Sequence, residues 1–540
     1  MDPENEDGNV EYKLKLDKSS DDRIKELITQ MRYRCEQGEG ECFYNLGVED
    51  NGTLFGLTEE EYQETIKILN IVAEKNNYSV QILTKTPVKV DKNVGKSVYE
   101  VLIREINNSK YIDIKVCVAG SVDCAKSSTL GSLVTGQLDN GRGLSRMSVF
   151  NYVHELKTGR TSSISHEILG YDHKGAIVNY QCINKLSWNE IVSRSSKIIS
   201  FFDLAGHEKY LKTTILGLST SIPNICMIMI AANNGISKMT REHIFLCLTL
   251  KIPFIFVISK IDLCDDRKNV LDETIQGINK LLKHPTVRRI AIHVKSNEDI
   301  ILSAKNIYSN SITPIFQISN VTGKGLDDIR MFFNIIGKKP IPENENTDSV
   351  EYFVDNIFQV KGVGVVIGGH LLSGTIKVSD NLLIGPLDDG KYESVIVKSL
   401  HSKKVNVQSV SYGGYVCVAL KKIDKKIVRK GIVLISPKSE QISVSTFYAK
   451  INVMRSHATT IKVGYEPLMC INSIRQTVKI MEIKDKKNSR NIDKLEDDDI
   501  LRTNDSAIAK LKFMFRPEYL KSGTRFIMCE GNLKIVGEIM

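Results

Sequence analysis

A phosphate-binding loop is the first candidate for chemistry in this sequence. The segment GSVDCAKS at residues 120–127 follows an apolar run and ends in Lys-Ser. Loops of the pattern GxxxxGK[ST] wrap phosphates with backbone N–H groups, place the Lys ammonium between the β- and γ-phosphates and give the Ser hydroxyl to Mg²⁺. The residues expected to hold the nucleotide here are Gly120, Asp123, Cys124, Ala125, Lys126, Ser127 and Ser128.

Ala125 departs from this pattern, which has glycine at the same place. Glycine tolerates backbone dihedrals that alanine resists, and the backbone comes close to phosphate oxygens there. If the loop has to adopt left-handed geometry, a methyl group costs on the order of 1 to 3 kcal/mol, or about tenfold to hundredfold in nucleotide affinity. Taken alone, the segment is equally compatible with a plain turn from a strand into a helix.

Further polar residues are candidates for the metal ion and the attacking water. Asp203 ends an apolar strand, where it can hold Mg²⁺ through water while the N–H of Gly206 senses the γ-phosphate. His207 can then orient the attacking water, and Thr161 is a candidate switch threonine whose hydroxyl reaches Mg²⁺ only when a γ-phosphate is present. The alternative for an isolated Asp or His is a turn residue or a satisfied hydrogen-bond partner. The predicted metal ligands are Ser127, Thr161 and Asp203, and the predicted catalytic residues are His207, Lys126 and Thr161.

Two later strand ends carry residues that can select a guanine base. Residues 259–262, SKID, close the apolar run FIFVI, and Asp262 there can accept two hydrogen bonds from guanine that adenine does not offer. The stem of Lys260 would cover the base. A loop N–H in Ser319-Asn320-Val321, after PIFQI, can bind the guanine O6. Each signal is weak alone, but their order and their places at strand ends predict a domain that binds GTP or GDP.

The elements that position these residues are short apolar runs separated by amphipathic stretches, as in parallel strands buried on both faces. They predict a doubly wound α/β P-loop domain with a mostly parallel sheet. It is preceded by an accessory α+β domain, in which Thr58 to Glu61 form a capping box, and followed by short β-type runs typical of two barrels. The predicted domains are 1–108 accessory, 109–337 nucleotide-binding, 338–348 linker, 349–437 first barrel and 438–540 second barrel.

Composition narrows the class of protein. The 42% hydrophobic and 25% charged residues are ordinary for a globular chain, and the apolar runs are too short to span a membrane. Eleven cysteines without CxxC spacing predict reduced thiols, and the polar N-terminus predicts a cytoplasmic protein with no membrane partner. A net charge of +9 agrees with an RNA or ribonucleoprotein partner without establishing one.

Several segments resemble the GTP-binding protein one and two family, relatives of elongation factor Tu and eukaryotic elongation factor one alpha. They include EDGNVEYKLKL, GVEDNGTLFGLTEEE, QLDNGRGLSRMSVF, GRTSSIS, FFDLAGHEKYLKTTI, SKIDL and PIFQISNVTGKGLD. The resemblance implies a GTPase that binds GTP or GDP with Mg²⁺, with Thr161 as switch threonine and His207 orienting water. It also implies a monomer that works with the ribosome and aminoacyl-tRNA or other RNA, in ribosome rescue or in mRNA turnover through the RNA exosome.

Two departures from the family leave two functions open. Ala125 replaces the family's glycine, and Ser259 stands where elongation factors have Asn and close relatives have Thr. The first hypothesis is a translational GTPase that hydrolyses GTP slowly without the ribosome. The alternative is a pseudo-GTPase, which keeps the architecture as a ribosome- or RNA-binding module while Ala125 impairs nucleotide binding.

Overall fold

The computed structural model describes the chain except for a set of short segments. The residues outside the description are 1–2, 6, 18–19, 89–94, 107–110, 151–154, 156–160, 162–163, 182–185, 340–348, 422, 454–459, 488–499, 503–504 and 531–532. The predicted linker at 338–348 therefore lies almost wholly outside the described residues.

The N-terminal part of the chain folds into a sheet with two helices. In chain order its elements are β1 (Val10–Lys13), α1 (Asp21–Gln37), β2 (Glu41–Leu46), α2 (Glu59–Lys75), β3 (Tyr78–Pro87) and β4 (Ser97–Glu105). The strand order is β1-β2-β4-β3. The predicted capping box is confirmed at the start of α2, where Thr58 and Glu61 each bond the other's backbone N–H.

The middle part of the chain is a sheet flanked by helices. Its strands are β5 (Ile112–Gly120), β6 (Ser165–Tyr171), β7 (Lys197–Asp203), β8 (Ile225–Ala231), β9 (Phe254–Ser259), β10 (Ile290–His293) and β11 (Ile312–Gln317). Its helices are α3 (Lys126–Thr135), α4 (Trp188–Arg194), α5 (Leu211–Ser221), α6 (Lys238–Thr249), α7 (Lys268–Leu282), α8 (Asn297–Asn306) and α9 (Leu326–Ile335).

Strand order brings the candidate motifs to one edge of this sheet. The order is β10-β11-β9-β8-β5-β7-β6, and neighbouring strands run parallel except for β6, which is antiparallel to β7. This confirms the predicted mostly parallel sheet. Strands β5, β7, β9 and β11 end at the four predicted motifs, and the carboxyl ends of parallel strands share an edge, which is where open α/β sheets bind ligands.

The C-terminal part is built from strands, as the turn-rich sequence predicts. They are β12 (Glu351–Val360), β13 (Gly364–Ser373), β14 (Thr375–Lys377), β15 (Asn381–Gly385), β16 (Glu393–Ser402), β17 (Val405–Val407), β18 (Ser409–Ser411), β19 (Tyr415–Lys421), β20 (Val433–Ile435), β21 (Thr446–Val453), β22 (Ile461–Lys462), β23 (Leu468–Ile471), β24 (Ile474–Lys487), β25 (Ile500–Leu501), β26 (Ser506–Phe513), β27 (Arg525–Glu530) and β28 (Leu533–Ile539). The first sheet has the order β15-β20-β12-β13-β19-β16-β17, and a further β15–β16 pairing closes it on itself. The second is a closed barrel with the order β21-β26-β24-β23-β27-β28.

Packing divides the chain into two compact units. The first contains residues 1–207, 223–244 and 253–340, and the second contains 208–222, 245–252 and 341–540. Among the helices within the described ranges, none contains an apolar stretch of the length that a membrane span needs. Ten cysteines lie within the described ranges, and none of them is joined to another by a disulfide there.

Candidate nucleotide-binding site

The phosphate loop connects β5 to α3 at the carboxyl edge of the sheet. Gly120 ends the strand with a φ of +148°, and a Cβ atom there would lie 2.5 Å from the Met229 carbonyl oxygen and 2.7 Å from Cys124 Sγ. Glycine is therefore required for this turn, because no side chain fits. The Cys124 thiol donates to the Ser121 carbonyl at 2.9 Å, and burial raises the pKa of Cys124.

Ala125 lies in the left-handed region of backbone space, with φ +61° and ψ +27°. This is the geometry for which the pattern has glycine, and an L-residue with a Cβ atom pays about 1–2 kcal/mol to adopt it. Asp123 has a φ of +62° in the same loop. The expected strain is therefore present at Ala125, although the loop keeps its connection into α3.

Lys126, the first residue of α3, is buried and reaches back over the loop. Its ammonium donates to the Ser121 carbonyl at 2.8 Å and lies 3.9 Å from Cys124 Sγ. Gly206 approaches from the loop after β7, where a Cβ atom would be 2.4 Å from Lys126 Nζ and 2.6 Å from the Gly120 carbonyl oxygen. This close approach places the Gly206 backbone directly beside the lysine ammonium.

Three predicted metal ligands converge beside this lysine. The Ser127 hydroxyl donates to Asp203 Oδ2 at 2.5 Å, and Thr161 Oγ1 lies 2.8 Å from Ser127 Oγ and 3.2 Å from the same carboxylate oxygen. Asp203 is fully buried, and burial raises the pKa of its carboxyl while the Lys126 cation opposes the rise. Asp203 Oδ1 finds no hydrogen-bond donor among the described residues. Thr161 is 34 positions from Ser127 and 42 positions from Asp203 in the sequence, yet the three side chains meet at one point.

The two loops predicted to bind the guanine base are bonded to the phosphate loop and to α3. The buried Ser259 hydroxyl donates to the Cys124 carbonyl at 3.0 Å, and the amide of Asn320 donates to Thr129 Oγ1 at 2.8 Å. Lys260 adopts a left-handed φ of +61°, and Asp262 is half-buried in the short 3₁₀ helix that follows.

Ser319 and Val321 differ in their exposure to solvent within the second loop. Ser319 is fully buried, and its hydroxyl oxygen accepts from the N–H groups of Val321 and Thr322 at 3.2 and 3.1 Å. The Val321 side chain is 41% exposed. Ser319 therefore shapes the loop from within, while the Asn320 side chain faces α3.

A cavity that is open to solvent lies over the phosphate loop, and its empty space is about 480 Å³ with the adjoining solvent included. Its lining includes two residues that the sequence motifs did not single out, Val122 and Arg146. Arg146 belongs to the QLDNGRGLSRMSVF segment of the family resemblance, which was the available signal for it. The other lining residues are Asp123, Ala125, Lys126, Ser127, Ser128, Thr161, Gly206 and His207.

Comparison with known proteins agrees with this geometry. The elongation factor Tu GTP-binding domain family matches residues 113–361. GTP-binding protein 2 from Mus musculus is 39% identical over 544 residues, covering 99% of this chain and 87% of the relative. GTP-binding protein 1 from Xenopus laevis is 39% identical over 536 residues, covering 99% of this chain and 78% of the relative.

Solved structures agree at the level of the fold. The translation elongation factor SelB from Methanococcus maripaludis, in complex with the GTP analogue GppNHp, aligns with a TM-score of 0.53 and 17% identity, over 80% of this chain and 79% of that one. The phosphate loop, the guanine-type loops and the near full-length relatives lead to one assignment. This chain is a GTPase that belongs to the GTP-binding protein 1 and 2 family of elongation-factor-Tu-like translational GTPases.

Proposed function

We propose that this chain binds GTP with Mg²⁺ at the carboxyl edge of its sheet and hydrolyses it to GDP and phosphate. The observation that carries the proposal is the convergence of Ser127, Thr161 and Asp203 beside Lys126. A phosphate loop, a hydroxyl pair and one buried carboxylate are the groups that phosphoryl transfer from a nucleotide requires.

The donor set suits Mg²⁺. Ser127 Oγ, Thr161 Oγ1 and Asp203 are hard oxygen ligands, and Mg²⁺ takes one or two carboxylates together with substrate phosphates and waters. The Asp203 Oδ1 atom, which lacks a donor among the described residues, fits a cation or its water shell. When bound there, the ion would neutralise charge that develops on the β- and γ-phosphates.

The chain's own residues supply binding and orientation. The Lys126 ammonium and the N–H groups of the phosphate loop stabilise negative charge on the phosphates, since Lys126 and the loop residues line the cavity. The Gly206 backbone lies close to Lys126 Nζ, and its N–H is assigned to the γ-phosphate. His207 lines the same cavity and orients the water that attacks the γ-phosphate.

Base selection is assigned to the loops after β9 and β11. Asp262 accepts two hydrogen bonds from guanine, the stem of Lys260 covers the base, and the loop at 319–321 supplies an N–H to O6. Adenine would leave the Asp262 carboxylate unpaired, which is a strong basis for discrimination. Ser259 supports this reading loop through its bond to Cys124, in place of the Asn of elongation factors.

The partners belong to the same proposal. Elongation-factor relatives and the fold of SelB support a cytoplasmic protein whose GTP cycle is coupled to the ribosome and to tRNA or other RNA. Cosedimentation of purified protein with ribosomes tests this coupling, and it should be stronger with a GTP analogue than with GDP. Equal recovery with and without nucleotide would contradict the coupling. Ribosome rescue, exosome-linked mRNA turnover and a monomeric state remain predictions of the family resemblance.

The catalytic proposal is tested by single-turnover hydrolysis of GTP with purified ribosomes present. The His207→Ala variant should bind a fluorescent GDP analogue as tightly as the wild type but hydrolyse GTP about a hundredfold or more slowly, since a positioned general base contributes roughly 10²–10⁴-fold. Equal hydrolysis rates for the two proteins would remove His207 from the mechanism.

A pseudo-GTPase is the second candidate, and the left-handed backbone of Ala125 is the observation that favours it. Titration of the wild type and of Ala125→Gly with the fluorescent GDP analogue separates the two functions. The enzyme requires wild-type binding in the micromolar range or tighter, with a gain of about fivefold to thirtyfold in the glycine variant from the relieved strain. Undetectable wild-type binding that the glycine restores would establish the pseudo-GTPase instead.

A further inference from the structure

We infer that Arg146 is a nucleotide ligand supplied in cis, which binds the α- and β-phosphates through its guanidinium group. The inference rests on the proposed nucleotide site and adds to it a cation outside the sequence motifs. Arg146 lies in a short 3₁₀ helix, Ser145–Ser148, that follows α3 in the chain. Its side chain lines the cavity over the phosphate loop, together with Lys126, Ser127 and Ser128.

The segment that carries Arg146 is firmly attached to the phosphate-binding helix. Ser145 donates its hydroxyl to the Ser128 carbonyl at 3.0 Å. Gly131 of α3 packs so closely that a Cβ atom there would be 2.1 Å from the Ser145 carbonyl oxygen. The backbone next to Arg146 is therefore held at a set distance from the start of α3.

The loop before Arg146 is also internally bonded. The Asp139 carboxylate accepts from the N–H of Gly143 at 3.2 Å and from the N–H of Ser145 at 3.0 Å. The N–H of Asp139 itself donates to the Asn320 carbonyl at 2.8 Å, which ties the loop to the base-reading segment. Because both ends are bonded to parts of the nucleotide site, the loop is prepared to present a side chain to that site.

Because Gly143 has no side chain, the guanidinium of Arg146 can lie next to its backbone. Its φ is +88°, and a Cβ atom there would lie 2.3 Å from Arg146 Nε and 2.6 Å from Arg146 Cζ. The arginine head therefore packs directly against the glycine backbone. Any side chain at position 143 would displace it.

The attachment at Ser128 indicates which phosphates Arg146 meets. Thr161, Gly206 and His207 line the part of the cavity assigned to the γ-phosphate, whereas Arg146 enters from the segment bonded to Ser128. Ser128 follows Ser127 in the first turn of α3, and Arg146 is attached there rather than to the loop of Gly206 and His207, so we assign it to the α- and β-phosphates. A planar guanidinium there can pair two N–H groups with phosphate oxygens, which is a strong and oriented contact. Such a contact would offset affinity that Ala125 costs.

Titration of full-length protein with fluorescent GDP and with a non-hydrolysable GTP analogue tests the assignment. Arg146→Ala should weaken both nucleotides about equally, by roughly tenfold to hundredfold, because both carry the α- and β-phosphates. Gly143→Ala should weaken both in the same direction, since it displaces the guanidinium. Arg142→Ala is the matched control, because Arg142 is an exposed cation on the same loop, and it should bind like the wild type.

The outcomes separate this inference from the proposed function. A wild type that binds neither nucleotide would refute the proposed function, whereas tight wild-type binding with an unchanged Arg146→Ala variant would refute the role of Arg146 alone. A loss confined to the GTP analogue would also overturn it, because Arg146 would then contact the γ-phosphate. Thermal unfolding without nucleotide checks that the variants fold. If the alanine variant does not, Arg146→Lys carries the test, and it should lose affinity for both nucleotides severalfold.

Discussion

The ammonium group of Lys197 in β7 donates to the carboxylate of Glu41 in β2 at 2.7 Å, across 156 positions of sequence. Both side chains are buried, with exposures of 0% and 2%. Arg104 donates to the second oxygen of the same carboxylate at 2.5 Å and to Asn334 at the end of α9. One carboxylate thus joins the N-terminal sheet to the sheet that carries the nucleotide site.

At a pH below about 7, where Lys197 carries its proton, the Glu41→Gln variant should be less stable by about 3–5 kcal/mol, because it leaves two buried cations without their counter-charge. Urea unfolding of the full-length protein, followed by fluorescence, measures the change. Glu60→Gln, at an exposed position in the first turn of α2, is the control and should stay within about 0.5 kcal/mol. A Glu41→Gln variant as stable as this control would show that the cluster contributes no net stability.

Stability should rise with pH through the titration of Lys197. Burial lowers the pKa of Lys197 to about 7 from its ordinary 10.5, while Glu41 opposes the shift and Arg104 adds to it. The unfolded chain therefore binds more protons than the folded one between these two values, so the free energy of unfolding increases with pH across that window. The gain shrinks as pH falls from about 10.5, and none of it is left below about 7. Urea unfolding at several pH values should show that the free energy of unfolding increases less steeply with pH in Lys197→Met than in the wild type. Parallel slopes would mean that Lys197 titrates normally.

The Gly206→Ala variant should lose nucleotide affinity by about tenfold or more. Its new methyl group would lie 2.4 Å from Lys126 Nζ and 2.6 Å from the Gly120 carbonyl oxygen, so the lysine or the loop has to move. Fluorescent GDP titration measures the loss. Gly337→Ala, where a Cβ atom would meet nothing within 4 Å, should bind like the wild type. Equal affinity of the two variants would contradict a close approach at Gly206.

The Ser259→Ala variant should weaken GDP and GTP analogues together, by about threefold to tenfold. It removes a buried hydroxyl that donates to the Cys124 carbonyl, and a bond of this kind contributes about 0.5–1.5 kcal/mol. Ser259→Thr keeps the hydroxyl and serves as the comparison, with affinity expected nearer to the wild type. If the alanine variant binds as tightly as the wild type, the loop after β9 does not depend on this bond.

Local pattern was sufficient for many features of this chain. The capping box from Thr58 to Glu61 and the apolar runs of β5, β7, β9 and β11 depend on residues near one another in sequence. Such runs predict buried parallel strands because each strand needs apolar side chains on both faces. The candidate residues at the strand ends followed from the same pattern.

Tertiary structure decided which of these residues meet. The shared contacts of Ser127, Thr161 and Asp203 depend on β5 and β7 being neighbours, which no spacing in the sequence specifies. The left-handed backbone of Ala125 is observable only in the folded loop, because alanine as a residue type favours other backbone conformations.

Residue types and local periodicity are enough to predict an α/β domain followed by β-rich domains, a phosphate-loop motif, candidate base-binding motifs and the family. They do not show that Arg146 lines the cavity or that Glu41 lies between Lys197 and Arg104, which follows only from the folded structure. The difference lies in sequence separation. Periodicity and helix capping depend on residues a few positions apart, whereas a cavity or a buried charge cluster is formed by side chains from elements that are distant in the sequence and meet only when the chain packs.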